Sequence, residues 1–361
     1  MEGICRYIYE TTKKMVLDHP EDEFYFFFDR AYDEEFIFAD NVTPVVVYPQ
    51  ARLPILWKIW FEWTVPYYLK KYNIDVFVSG DTYASISTKV PTLLVSHDIA
   101  YHHYPDHLPK KHLNYYKKYF KKFHERADHI VAVSNFTKSD ITKAYNLNPE
   151  KITVGYNSTP EGYHPLKEET KENVRKQLTE GNPYFIYVGS LHPRKNVVNL
   201  ILAFDAYIDK YKSAHRLVLV GRMAWKNEEL NKISSQLKYK DRIIFTNHLP
   251  NETLPKYVGA AEALTYVSLF EGFGIPILEA MSAGTPVITS NVSSMPEVAG
   301  GAALLINPSD IESIASAMHD VSTSKQLKED LIAKGLKRKD EFSWQTTANH
   351  IYECISKLKN Q

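Results

Sequence analysis

The chain has 361 residues, enough for two domains with cores of their own. Its 43 basic and 43 acidic residues cancel, which argues against a nucleic-acid binder with its strong basic excess. Two cysteines at opposite ends, Cys5 and Cys354, argue against a disulfide framework or a cysteine-built zinc site and fit a reducing cytoplasm.

The N-terminus carries no apolar signal-peptide core, and no apolar run reaches membrane-spanning length. The aromatic-rich stretch 57–68 is broken by Lys58, Glu62 and Pro66. A helical pattern over 4–17 opens the chain. Short β-branched or aromatic runs at 24–28, 43–47, 76–79, 92–95, 129–133 and 152–154 then alternate with helical patterns at 56–71, 110–126 and 138–145. A second series of strand runs follows at 184–188, 216–220, 243–246, 263–266, 287–290 and 303–306, with helical patterns after nearly every one. Near-continuously apolar strands joined by helices predict parallel sheets covered on both faces. Two such series predict an α/β chain of two Rossmann-like, doubly wound domains, at 1–170 and 180–340. The Lys-, Glu- and Thr-rich stretch 165–182 reads as the linker between them.

The most informative stretch is Phe270-Glu271-Gly272-Phe273-Gly274-Ile275-Pro276-Ile277-Leu278-Glu279. Gly272 and Gly274 let backbone approach a ligand without a Cβ in the way. Pro276 suits the first turn of a helix. A helix starting there aims free N–H groups and its positive dipole end at the loop, which suits a phosphate. The N–H groups of Gly272, Phe273, Gly274 and Ile275 form the cradle. Glu279, about one turn into the helix, can accept from a diol, and Glu271, before the turn, can reach a second set of hydroxyls. Upstream, Gly189 and Ser190 end a predicted strand and lead into Arg194-Lys195. That pair can clamp a diphosphate, Arg by its fork and Lys as a point charge, although such pairs are often merely solvated. His97 follows Leu93-Leu94-Val95 at the carboxyl end of a predicted parallel strand, where ligands collect in open α/β sheets, and Asp98 beside it can orient a ligand or cap the loop.

Taken together these segments resemble the retaining glycosyltransferases of the GT-B fold, family 4 (group 1), including bacterial mannosyltransferases. The residues carrying the resemblance are the Glu271-x7-Glu279 signature, Val188 to Asn196, Ser96-His97-Asp98, Ala132 to Phe136, and Gly284-Thr285-Pro286-Val287-Ile288. The resemblance implies transfer of a hexose from a nucleotide diphosphate sugar, GDP- or UDP-linked with GDP-mannose favoured, to a glycan or lipid-linked acceptor in cell-surface polysaccharide assembly. Retention would follow a front-face displacement without a metal ion or other cofactor. It assigns Glu279 to the donor ribose, Glu271 to the transferred sugar or the reacting face, and Arg194 and Lys195 to the diphosphate. It places His97 near the donor sugar, the donor mainly on the second domain and the acceptor against the first, with the last helix, 344–361, packed back on the first. Gly3-Ile4-Cys5-Arg6-Tyr7 resembles the end of the family's N-terminal glycine-rich loop, which puts Gly3 and Arg6 on the acceptor side. No counterpart of the strand that usually precedes that loop is read here, so either the chain starts late or the sheet is built without it, and losing an inner strand would expose sheet edges.

No Asp-x-Asp appears, and the spacing of His102, His103 and His107 is not that of a metal-ligand set, so no metal site is expected. Neither domain carries Gly-x-Gly-x-x-Gly after a strand, which weighs against a nicotinamide-dependent oxidoreductase. A catalytically silent sugar- or nucleotide-binding protein remains the alternative. Finally, 110–126 interleaves Lys110, Lys111, Lys117, Lys118, Lys121 and Lys122 with Tyr115, Tyr116, Tyr119, Phe120 and Phe123. Such a helix either lies on an anionic membrane, at the cytoplasmic face, or packs on the sheet with its lysines in water.

Overall fold

A computed structural model describes residues 3–222, 228–247, 249–250 and 252–360. The chain divides into two units, Met1–Asn157 with Ser343–Gln361, and Ser158–Phe342. Residue 361, the last of the helix expected at the C-terminus, lies outside the described residues.

The first unit contains β1 (Phe24–Phe28), β2 (Val42–Val46), β3 (Phe77–Ser79), β4 (Thr92–Ser96), β5 (His129–Ala132) and β6 (Ile152–Val154). All pairings are parallel, but the strands form two sheets, β1-β2 and β3-β4-β5-β6. The first described element is the helix Gly3–Asp18, with no strand before it among the described residues. The inner strand β4 is buried at all five positions, so its apolar run is covered on both faces. All five residues of β1 are half-buried. The last helix, Trp344–Lys359, packs along Gly3–Asp18, where Tyr352 donates to Asp22 Oδ2 at 2.6 Å.

The second unit contains β7 (Tyr184–Val188), β8 (Arg216–Val220), β9 (Ile243–Phe245), β10 (Ala263–Tyr266), β11 (Val287–Ser290) and β12 (Leu304–Ile306). They form one parallel sheet in the order β12-β11-β10-β7-β8-β9. The chain winds outward from β7 in one direction and from β10 in the other. The point between those two strands is the topological switch, and crevices for ligands open at its carboxyl side. Both flanking strands are fully buried, as runs of Tyr, Phe, Ile, Val, Ala, Leu and Thr covered by helices on both faces should be.

The stretch expected to be a linker is not one. Residues Glu168–Thr179 form a helix of the second unit, and the division between units falls at Asn157/Ser158 instead. Val174 and Thr179 are buried, and Arg175 donates through Nε to the Ala260 carbonyl at 3.0 Å. The polar composition is the solvent side of this helix. The helix Lys110–Arg126 also resolves one way. Tyr115, Phe120 and Phe123 are buried in the core of the first unit with Leu94, Ile130 and Ile141, while the six lysines are exposed.

Candidate active site

Two loops leave the carboxyl ends of β7 and β10, one on each side of the switch point. The loop after β7 turns at Gly189 and passes a 3-10 turn, Pro193–Lys195, into the helix Val197–Tyr211. Gly221, after the neighbouring β8, sits so close that a Cβ there would lie 1.8 Å from the Gly189 carbonyl oxygen. Only glycine permits that approach. The buried Asn196, at φ 61°, closes the turn by donating to the carbonyls of Val267 at 3.0 Å and Pro308 at 2.7 Å. The loop after β10 is tied to the first loop by Leu269 N–H donating to the Arg194 carbonyl at 2.9 Å. It ends at Gly274, whose φ of 105° favours glycine, and enters the helix Ile275–Ser282 with Pro276 in its first turn. Ser294 Oγ staples the turn, donating to the carbonyls of Glu271 at 2.9 Å and Phe273 at 2.8 Å. The Glu271 N–H donates to Ser293 Oγ at 3.1 Å.

The two motifs, 76 residues apart in sequence, meet at Glu271. Lys195 Nζ donates to Glu271 Oε1 at 2.6 Å, and Arg194 donates through one terminal nitrogen to Glu271 Oε2 at 3.3 Å and to the Phe270 carbonyl at 2.7 Å. The Tyr266 hydroxyl, at the end of β10, accepts from Lys195 at 3.1 Å and donates to Glu271 Oε1 at 2.9 Å. Tyr187 packs against the Tyr266 ring at 6.3 Å between centroids. Burial pushes both phenols well above their ordinary pKa, and the Glu271 charge adds to the effect, so both stay protonated.

Glu271 is only 6% exposed. Burial alone would raise its pKa, but the charges of Lys195 and Arg194 and the Lys195 hydrogen bond outweigh it and hold the carboxyl at about 2. The cluster is therefore one carboxylate between two cations, a net single positive charge. It sits at the switch point, beside a loop whose backbone leads into a helix N-terminus. A diphosphate is the anion such a cluster suits, because guanidinium and ammonium together carry eight N–H donors, more than one carboxylate can absorb. Glu279 stands half-buried, five residues into its helix.

The remaining candidates lie in the first unit. His97 directly follows β4, and its Nε2 lies 2.7 Å from the Gly80 carbonyl, which fixes the proton on that nitrogen. Burial lowers its pKa, so it is neutral at neutral pH. Its ring meets Tyr7 edge-on at 5.3 Å, and Tyr7 in turn meets Trp344 at 5.9 Å and donates to the Gly155 carbonyl at 3.1 Å. Asp98 Oδ1 accepts from the Ala100 N–H at 2.9 Å, the loop-capping role. Gly3 is exposed at the start of its helix, and Arg6 pairs with Glu10 at 3.7 Å. His103 faces Asp140 at 2.9 Å, and among the described residues no group of three or more His, Cys, Asp or Glu is placed to hold a metal ion. Sequence reasoning included Asn196 in the basic segment without giving it a task, and missed Tyr266, Tyr187, Gly221, Ser293 and Ser294 as parts of the site. Of the missed residues only Tyr266, five residues before Glu271, carried a positional signal, and a weak one.

Comparison with known proteins bears on the family and the fold. The profile of the Glycosyl transferases group 1 matches residues 168–338, and that of Glycosyltransferase Family 4 matches residues 2–160. The O-antigen chain mannosyltransferase B of Escherichia coli is 27% identical over 356 residues, covering 96% of this chain and 93% of the relative. The O-antigen chain mannosyltransferase RfbU of Salmonella typhimurium is 32% identical over 268 residues, covering 74% of this chain and 71% of the relative. Among solved structures, WaaG, a glycosyltransferase involved in lipopolysaccharide biosynthesis, superposes with a TM-score of 0.77 at 16% identity, covering 98% of this chain and 96% of that one. Anabaena Alr3699/HepE in complex with UDP-glucose gives 0.76 at 17% identity, covering 96% and 95%.

Proposed function

From the premise that this chain belongs to the group 1 glycosyl transferases, with the GT-B fold, we propose that it transfers mannose from GDP-mannose, with retention, to a glycan or lipid-linked acceptor in cell-surface polysaccharide assembly. It is a hexosyltransferase by family. The choice of mannose rests on relatives named as O-antigen mannosyltransferases, and the choice of a guanine base follows from it. The cytoplasm, where such a donor is made, is the proposed location. Among the described residues no helix is long and apolar enough to cross a membrane.

The observation that carries the donor reading is the pairing of Arg194 and Lys195 around Glu271 at the switch point. The diphosphate joins the two cations and the N-terminus of Ile275–Ser282, and Glu279 accepts from the ribose hydroxyls. Glu271 fixes both cations and meets the transferred sugar. The bond from C1 to the phosphate oxygen breaks, and the acceptor oxygen bonds to C1 on the same face. The acceptor proton passes to the departing phosphate. Charge growing on that phosphate meets cations already in place, which is where the rate is gained. His97, kept neutral by burial and oriented by the Gly80 carbonyl, is the first unit's candidate for a contact with the transferred sugar.

A thermal-shift screen of GDP, UDP, ADP and TDP tests the donor, since a bound ligand raises apparent stability. GDP should give the largest shift. A larger shift with UDP would move the donor to UDP-glucose or UDP-N-acetylglucosamine, and no shift with any of the four would favour a silent protein. The anomeric configuration of the product, read by NMR, tests retention. Turnover should persist in excess EDTA, because the two cations and the helix end do the work of a divalent ion. Complete loss with EDTA and recovery on Mn²⁺ would overturn that mechanism and turn attention to Asp81, Asp98 and the histidines at 102, 103 and 107.

A further inference from the structure

A backbone outlier stands beside Glu271. Ser293 has a φ of 54°, in the left-handed region that a residue with a Cβ enters at a cost. Seven other non-glycine residues do so among the described residues. Four of them, Asn146, Glu180, Asn196 and Lys212, close a helix or a helical turn, where the left-handed region is the usual exit. Ser293 closes none. It lies in the turn between β11 and the helix Met295–Ala299. Glycine would take that turn without strain. A serine held there needs a reason of its own, and what it has that glycine lacks is a hydroxymethyl group.

The turn after β11 grips the backbone of Glu271 from both sides. Ser293 Oγ accepts from its N–H at 3.1 Å, and Ser294 Oγ donates to its carbonyl at 2.9 Å. Ser294 is fully buried, and its hydroxyl proton is shared between the carbonyls of Glu271 and Phe273. Ser293 is half-buried, and its hydroxyl serves the Glu271 N–H as an acceptor. Its own O–H finds no acceptor among the described residues. An uncommitted proton thus stands beside the carboxylate that holds both cations. The sheet order gives it a place along the ligand. Loops follow one another at the carboxyl edge in the order β11, β10, β7, so Ser293, Glu271 and the pair Arg194-Lys195 come in that order. A diphosphate on the two cations has the nucleoside at one end and the sugar at the other. Toward β11 it meets Glu271, which offers lone pairs, and then Ser293, which offers a proton.

On the donor reading proposed for this site, we infer that Ser293 is a specificity residue for the transferred sugar. Its O–H donates to a sugar hydroxyl that itself donates to Glu271. Glu271 Oε1 already accepts from Lys195 and Tyr266, so the sugar goes to Oε2, which Arg194 meets at 3.3 Å. A sugar hydroxyl is both donor and acceptor, and this pair satisfies both functions at once. A sugar in which that hydroxyl is absent or inverted leaves the pair without its partner, which is how a polar site rejects a near relative of its substrate. The nucleoside diphosphate alone does not extend to Ser293, so its affinity does not depend on the hydroxyl. The strained φ is the cost of aiming that hydroxyl at the sugar while it still holds the Glu271 N–H.

The test is calorimetry and steady-state kinetics on the full chain with Ser293→Gly and Ser293→Ala. Both remove the hydroxyl, but only glycine relieves the backbone, which separates the two reasons for a serine. GDP and GDP-mannose are the probes; if the thermal-shift screen selects UDP, then UDP and UDP-glucose take their place. Both variants should bind the diphosphate with wild-type affinity. Both should bind the sugar nucleotide roughly fivefold to tenfold more weakly, the value of one neutral hydrogen bond, and lose at least as much in kcat/KM. Full activity in Ser293→Gly, with the loss confined to Ser293→Ala, makes Ser293 a backbone residue only and overturns the inference. So does equal weakening of diphosphate and sugar nucleotide, which assigns the hydroxyl to the frame of Glu271. Unchanged sugar-nucleotide affinity in both variants, with wild type binding both probes, overturns the inference and leaves the donor reading standing. A wild type that binds neither diphosphate overturns the donor reading and this inference with it.

Discussion

Lys195→Ala should lower transfer by roughly a hundredfold to a thousandfold, the usual cost of removing one preorganised donor from a centre where charge develops. The Lys195 side chain is 13% exposed and its ammonium is held from two sides, by Glu271 at 2.6 Å and Tyr266 at 3.1 Å, so little solvent rearrangement is needed when the leaving phosphate gains charge. Binding of the nucleoside diphosphate alone should weaken by about 1.5–3 kcal/mol, one charge-assisted contact. Arg194→Ala should cost a similar amount in binding and more in folding, because Arg194 also donates to the Phe270 carbonyl at 2.7 Å and so joins the two loops. The effect on the rate should exceed the effect on binding in the Lys195 variant, since its contact strengthens as the bond to the sugar breaks. Calorimetry returning wild-type diphosphate affinity for both variants would place the clamp elsewhere.

Much of this arrangement was legible in the sequence, and the reasons differ from part to part. Runs such as Tyr184–Val188 and Val287–Ser290 are free of charge and rich in aromatic or β-branched residues because they are covered on both faces, so composition alone located them to the residue. The two loops of the candidate site were legible as separate motifs, because a glycine beside a basic pair and two glutamates across a glycine turn each have a chemical reason of their own. Their meeting was not legible. The partner of Lys195 is 76 residues away and is chosen by the strand order, β10 beside β7, which a single sequence does not display. Tyr266 gave little signal, since a tyrosine ending a strand is ordinary; only the approach of the Lys195 and Glu271 side chains gives its hydroxyl a task. The helix Lys110–Arg126 shows the limit of periodicity. Its spacing announced an apolar face and a charged face but not what covered the first, and the core took it. Residues 165–182 failed for a related reason: a helix resting on few buried side chains, Val174 and Thr179 among them, has the composition of a linker.

Glu271 and Glu279 should separate cleanly when each is replaced. Glu271 shares one point with two cations, whereas Glu279 stands five residues into the helix that follows. Glu279→Ala removes a charged acceptor for the ribose and should weaken nucleoside diphosphate binding by about 1.5–3 kcal/mol. Glu271→Gln raises the charge of its cluster by one and keeps the shape, so diphosphate affinity should hold or tighten. Transfer should fall roughly a hundredfold, because the cations are no longer fixed where the leaving charge grows. Glu271→Gln should also cost folding stability, with a pH signature that a sugar contact alone would lack. The folded carboxyl titrates at about 2, below its ordinary 4.5, so its stabilisation is fully present above pH 4.5 and is lost as pH falls through about 2. At neutral pH the term is on the order of 3 kcal/mol. The stability gap between wild type and Glu271→Gln in denaturant should therefore be widest near neutral pH and shrink toward zero at about 2. A gap that does not change across that window would mean that Glu271 is not held by Lys195 and Arg194 in solution, and equal loss of nucleotide affinity in the two glutamate variants would remove the basis for giving them different ends of the donor.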